Sequence, residues 1–216
     1  MWEAALKLLA SAAVVECARA RSEDKPVIVV GHSLGGHVTL AAQGTGRIAA
    51  DAIVAVATNV WLREFEESRL RWAAKWALAR GVLAVAARAH GFPARRLRIG
   101  SDDASERYLR DVLRGGLRGT WKSADGSDDY VRSLARVNVP VAAVLGDRDL
   151  INCHPAAGEA FVRRCSGEVA VFHGDAGHME LVTSPQSYGA TISAIEWAAT
   201  RVALVPAGPE KHPPVT

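Results

Sequence analysis

Cysteine is scarce in this chain: three thiols, Cys17, Cys153 and Cys165, stand among 216 residues. So sparse and odd a set excludes the stapled framework of a small secreted domain and indicates a reducing compartment. None of the three sits in a pattern that marks a nucleophile, and they read as small buried or half-buried thiols. Long apolar runs are missing too. Glu3 and Lys7 interrupt the N-terminal stretch where a secretory leader needs an unbroken apolar core. No run approaches the roughly 20 residues of a membrane span. The expectation is a soluble, cytoplasmic protein without a membrane span. Nor does one sign of charge prevail: 26 basic and 23 acidic residues leave a net +3, and both signs are interspersed. Zinc-finger spacing and an aromatic–glycine RNA-binding pattern are both absent, so no nucleic-acid partner is expected. His32, His37, His90, His154 and His212 show no paired-ligand spacing, which argues against a metal, and no cofactor is implied.

What the chain does have is 49% apolar residues, enough for a sizeable core, laid out in alternation. Residues 2–21 read as a helix rich in Ala, Leu and Glu, with Arg19 and Arg21 at its C-terminal end. Short apolar runs at 27–30, 51–58, 139–146 and 168–174 have the signature of strands buried on both faces. Helices fit 34–43, 155–165 and 185–201. This alternation predicts an α/β fold, a mostly parallel sheet with flanking helices. The core comprises 1–58 and 137–201. Residues 59–136 break the rhythm with about three helical stretches, no good strand, and Trp61, Trp72 and Trp76 near the start. They form a helical cap insertion, expected over the strand C-terminal ends where ligands bind. The Pro-rich end, 202–216, reads as a flexible tail.

One stretch carries chemistry. "PVIVVGHSLGG" (26–36) runs four apolar residues into Gly31-His32-Ser33-Leu34-Gly35, a G-x-S-x-G pattern placed between a strand and a helix. Such a turn strains the serine backbone, and glycines two residues to either side remove the clash. Ser33 then projects above the sheet, and the helix N-terminus behind it, with the Leu34 N–H, favours developing negative charge. A serine hydroxyl needs a base, and the base needs a carboxylate to orient it. The strand at 139–146 delivers Asp147 and Asp149, and the strand at 168–174 delivers His173 and His178. His178 follows two glycines in a loop that can reach back over the serine, whereas His173 lies within the strand, toward a core or helix. Asp149 stands farther from its strand end than Asp147, which suits capping the turn. The order Ser33, Asp149, His178 is preferred. His32 beside the serine and Trp61 at the mouth of the insertion are the candidates to line the substrate site.

These motifs resemble the α/β-hydrolase superfamily over about 26–200: "GHSLGG" its nucleophile elbow, "GDRD" its acid turn, "GDAGH" its histidine loop. The insertion, with "FPARRLRIG", is similar to a bacterial group within it. The resemblance implies Ser33 as nucleophile, Asp149 as acid, His178 as base and Leu34 N–H in the oxyanion hole. It also implies a serine esterase acting on a small-molecule acyl ester or thioester through an acyl-enzyme. Acyl transfer to an acceptor other than water is the alternative on the same triad, and a non-catalytic homologue is another. The superfamily's sheet has more strands ahead of the elbow, including the loop that gives the second oxyanion donor. With 25 residues before the first strand, the expectation is a sheet truncated at the N-terminus. Nothing in the sequence sets the oligomeric state.

Overall fold

In a computed structural model, which describes residues 2–93, 103–123 and 125–204, four parallel strands form one sheet in the order β1-β2-β5-β6. They are β1 (Ile28–His32), β2 (Ala52–Val56), β5 (Val141–Gly146) and β6 (Val169–Gly174). Each lies within a residue or two of the apolar run that predicts it. Continuous Val, Ile and Ala runs suit strands covered on both sides, and every residue of β2 and β5 is buried. Helix α2 (Leu34–Gly44) packs on β1 and β2, and α6 (Pro155–Val162) packs on β5. They share a face, because His37 of α2 and Phe161 of α6 meet ring to ring. Helix α7 (Tyr188–Ala203) runs along all four strands. The first helix, α1 (Trp2–Arg21), lies against α2, with Val15 buried beside Val27, Ala41 and Ala42.

The apolar core centres on Ile53, Val54, Val56, Val141, Val144 and Leu145. β1 is an edge strand: among the described residues nothing pairs with its outer side, and Val30 is 49% exposed.

Residues 59–136 connect β2 to β5. A 3-10 turn (Arg63–Phe65) leads into α3 (Arg69–Ala89), capped at its start by the Ser68 hydroxyl on the Arg71 N–H at 3.2 Å. Helix α4 (Glu106–Arg118) packs against α3, and α5 (Tyr130–Ser133) returns the chain to the sheet. Where no good strand is predicted, two short ones occur: β3 (Gly91–Phe92) and β4 (Ala104–Ser105) form an antiparallel ladder of two residues each. So short a ladder leaves almost no alternation to read. Phe65 packs edge-on and Trp121 at a tilt against Phe161, and they root the segment in the core. Most of "FPARRLRIG" and the tail beyond 204 fall outside the described residues. Cys153 and Cys165 are buried, as read, but Cys17 is exposed on α1. Among the described residues no helix is long and apolar enough to cross a membrane.

Candidate active site

Because the four strands are parallel, their C-terminal ends share one edge of the sheet, and the loops that leave them meet there. β1 ends in the elbow. Its Gly31 is required: a Cβ there would stand 2.7 Å from the Gly35 carbonyl carbon. Gly36 is required as well, since its Cβ would enter the Thr58 side chain. Gly35 differs from expectation, because a Cβ on it would meet nothing within 4 Å. The close approach is felt from Gly31 and not from its mirror position. Ser33 has φ +52° and ψ −116°, a strained conformation that turns its side chain out of the strand. Its own N–H still bonds Val56 O of β2 at 2.8 Å, so the serine is clamped to the sheet on one side. Leu34 opens α2, where first-turn N–H groups have no intrahelical acceptor.

The structure brings three of the expected residues into one line. Ser33 Oγ lies 2.9 Å from His178 Nε2, and His178 Nδ1 lies 2.6 Å from Asp149 Oδ2. With Nδ1–H donating to the carboxylate, Nε2 carries the lone pair that accepts the serine proton. Asp149 is buried, its side chain 2% exposed, while His178 keeps a 16% opening to solvent. Burial alone would raise the Asp149 carboxyl. The hydrogen bond from His178 and backbone N–H groups of Cys153 and Asn152 outweigh it, and the group is held below the usual carboxylate range. It therefore stays ionised.

His173 and Asp147 form a second pair, 2.8 Å apart, but both are exposed, and Ser33 Oγ bonds His178 instead. His173 thus faces solvent rather than a core or helix. Asp147 bonds this imidazole rather than only capping a turn.

His32 donates its Nε2–H to the carbonyl of His178 at 2.9 Å, its ring centroid 5.0 Å from the base. Burial first, then the neighbouring His178 ring, lowers its pKa against the opposing pull of that hydrogen bond, so His32 is a neutral strut under the histidine loop. His37, one turn into α2, packs edge-on against Trp121 and Phe161 and donates to the Asn59 backbone. Burial lowers its pKa to about 4.

Trp61 is half-buried and donates its indole N–H to Asn152 O at 2.8 Å, while the Asn152 N–H bonds Asp149 Oδ1 at 3.0 Å. The tryptophan therefore touches the loop that carries the acid. With Trp72, Trp76, Leu113 and Leu117 it also lines a narrow apolar crevice between α3 and α4.

One residue escapes a reading of motifs. Arg148 sits between the two aspartates of the acid turn and spans to the histidine loop. It meets Asp175 Oδ1 at 3.0 Å, Asp175 O at 3.0 Å and Glu180 Oε2 at 2.8 Å. Glu180 also accepts the Gly177 N–H at 2.7 Å. The available signal was an arginine on one loop facing acids on both sides of His178 on the other.

Residues 10–179 match the sequence model of the family described as serine aminopeptidase, S33 (a family label, unrelated to residue 33). The chain belongs to this α/β-hydrolase family. Solved structures agree on the fold. A monoacylglycerol lipase from Paleococcus ferrophilus is similar over 90% of this chain and 76% of its own, at 14% identity and a TM-score of 0.53. Est1E from Butyrivibrio proteoclasticus matches over 88% and 67%, at 17% identity and a TM-score of 0.53. MGS-MChE2, an α/β-hydrolase from a lagoon-sediment metagenome in Morocco, matches over 90% and 70%, at 15% and 0.50. Among curated proteins no sequence matches the chain.

Proposed function

We propose that this α/β-hydrolase is a serine esterase that cleaves a carboxylic ester or thioester through an acyl-enzyme. The observation that carries the reading is the unbroken line from Ser33 Oγ through the His178 ring to buried, ionised Asp149. Ser33 Oγ attacks the acyl carbon while its proton passes to His178 Nε2. Asp149 holds Nδ1–H, fixes the ring's tautomer and balances the imidazolium charge. The carbonyl oxygen becomes an oxyanion at the Leu34 N–H and the N-terminus of α2. Collapse of the tetrahedral adduct expels an alcohol or thiol, which takes the proton from His178. Water then attacks the acyl-serine, gives its proton to His178 and releases the acid as Ser33 is reprotonated. Residues 59–136 act as a cap, and the tryptophans packed between α3 and α4, Trp61 among them, favour an apolar acyl or aryl group beside it. The reaction needs no cofactor.

The test is labelling of the purified chain with a fluorophosphonate, followed by hydrolysis of short p-nitrophenyl esters and the matching thioesters. Labelling is expected in the wild type and in His173→Ala, and lost in Ser33→Ala. A folded wild type that takes no label overturns the reading, as does a label that survives Ser33→Ala.

A further inference from the structure

The segment that leaves β2 touches both the nucleophile elbow and the acid loop before it enters α3. Ala57 turns it. This buried alanine has φ +48°, a left-handed conformation that a non-glycine residue keeps only where its surroundings enforce it. Its N–H bonds Val144 O of β5 at 2.8 Å. Thr58, also buried, then meets the elbow: its hydroxyl donates to Val56 O at 3.0 Å, and its side chain fills the space a Cβ on Gly36 would take. Three residues on, the Trp61 indole N–H reaches Asn152 O at 2.8 Å, and the Asn152 N–H holds Asp149 Oδ1 at 3.0 Å.

Helices α3 and α4 fix the tryptophan from the other side. A Cβ on Gly116 of α4 would stand 2.6 Å from Trp61 O and 3.5 Å from Trp61 Cβ, so this helix closes directly on the Trp61 backbone. Lys75, on the buried side of α3, lies 5.7 Å over the Trp61 ring. Its ammonium is bound to Glu66 Oε2 at 2.9 Å, and both side chains are 2% exposed. Out of water, the carboxylate and the indole face together compensate the lost hydration, which leaves Lys75 and the ring little room to move apart. A buried indole N–H needs some acceptor. Here the acceptor is the peptide of the residue whose own N–H holds the catalytic carboxylate.

We infer that Trp61 is a positioning residue for the acid: it fixes the turn at 149–152, and α3 and α4 hold it in place to do so. Asp149 Oδ2 carries the His178 Nδ1–H while Oδ1 is tied to Asn152, so a shift of this turn rotates the carboxylate against the ring. Small misplacements of a group beside the reacting atoms are costly in rate. The inference rests on the esterase reading for its kinetic readout alone.

Two substitutions divide the indole between them. Trp61→Phe keeps an aromatic hydrocarbon ring and removes the N–H. Trp61→His keeps the donor, because its Nε2–H stands two bonds beyond Cγ in a five-membered ring, as the indole N–H does, and at pH about 8 the imidazole is neutral. On p-nitrophenyl acetate, butyrate and octanoate, Trp61→Phe is expected to lower kcat about fivefold to tenfold on every ester, with KM within about twofold. Trp61→His is expected to recover most of that loss. The reverse order, or a KM that rises with acyl length at wild-type kcat, overturns the inference and makes Trp61 a substrate contact. Two variants with wild-type kcat overturn it as well. Each variant is read against the wild type by itself, with circular dichroism as the check of folding, so loss of the fold in one leaves the other decisive. The His178 Nδ1–H proton resonance, far downfield when a carboxylate holds it, needs no turnover. It is expected to shift or broaden in Trp61→Phe and to stay in place in Trp61→His; an unchanged resonance in Trp61→Phe overturns the inference. A folded wild type that takes no fluorophosphonate removes the esterase reading, and the resonance still decides this one.

Discussion

His178 is held from two directions, and each support has a measurable share. Asp149 fixes the ring through Nδ1, so Asp149→Asn presents the wrong tautomer partner; a loss of about 10³–10⁴ in kcat is expected, with the fold intact by circular dichroism. His32 holds the backbone of the same residue. His32→Phe keeps the ring's bulk and removes the hydrogen bond, and a kcat loss of about tenfold with little change in KM is expected. A loss confined to KM would make His32 a substrate contact instead. His37 bears on stability rather than on chemistry. Its pKa falls from 6.5 unfolded to about 4 in the fold, so between those values the unfolded chain binds the extra proton. Stability must then drop as pH falls from about 6.5 to about 4, by up to about 3 kcal/mol, and level off below. Urea melts across that window should show the slope in the wild type and a shallower one in His37→Gln. An equal slope in both would assign it to other groups. At this scale the sequence was partly legible. Spacing relative to strand ends distinguished His178 from His173 as the ring nearer Ser33, but no pattern shows that His32 and His37 bond backbone carbonyls.

Between elements, two bridges hold the loops in register. Arg148 staples the acid turn to the histidine loop through Asp175 and Glu180. All three side chains are well exposed, so the staple adds little to global stability and matters through position. Arg148→Ala is expected to lower kcat severalfold to tenfold with KM and thermal midpoint nearly unchanged. Raising wild-type salt should reproduce part of the loss by screening; a variant with wild-type kcat would show that His32 and Asp149 suffice. The second bridge is buried. Glu66, below its usual range because the hydrogen bonds from Lys75 and Arg71 outweigh the burial that would raise it, ties the start of α3 to its second turn. Lys75 also lies 5.7 Å over the Trp61 ring, whose N–H reaches the acid loop. Glu66→Ala strands a buried ammonium and should cost about 3–5 kcal/mol, whereas Glu66→Leu/Lys75→Met should recover most of that in the same denaturant melts. Because the folded carboxyl titrates lower than the unfolded one, this contribution is present at neutral pH and lost as pH falls through the folded value. Strands were legible because each carries a short unbroken apolar run, fully buried in β2 and β5 and partly covered in β1 and β6. In residues 59–136 the helical stretches were legible and the ladder was not, because two residues on each side leave no alternation to read.

At the scale of the molecule, parallel strand order does the assembling. Three loops that are distant in sequence leave the same sheet edge, which is why strand ends alone located Ser33, Asp149 and His178 near one another. The same order leaves β1, the strand that carries the elbow, on the outside. Its outer N–H and C=O groups lack strand partners among the described residues, and Val30 is half exposed beside them. A short apolar edge of this kind is a template for pairing with another chain. Natural edges are blunted with charge, so Val30→Lys should reduce self-association without unfolding the sheet. Light scattering across a concentration series is expected to show the wild type gaining apparent mass and the variant staying nearer a monomer. Substitution at an exposed site should move stability by only about 0.5 kcal/mol. Leu78 and Val85 of α3 form a second exposed apolar surface, and Leu78→Glu/Val85→Glu separates the two. If it abolishes association and Val30→Lys does not, the contact runs through α3, and the edge of β1 is protected in some other way.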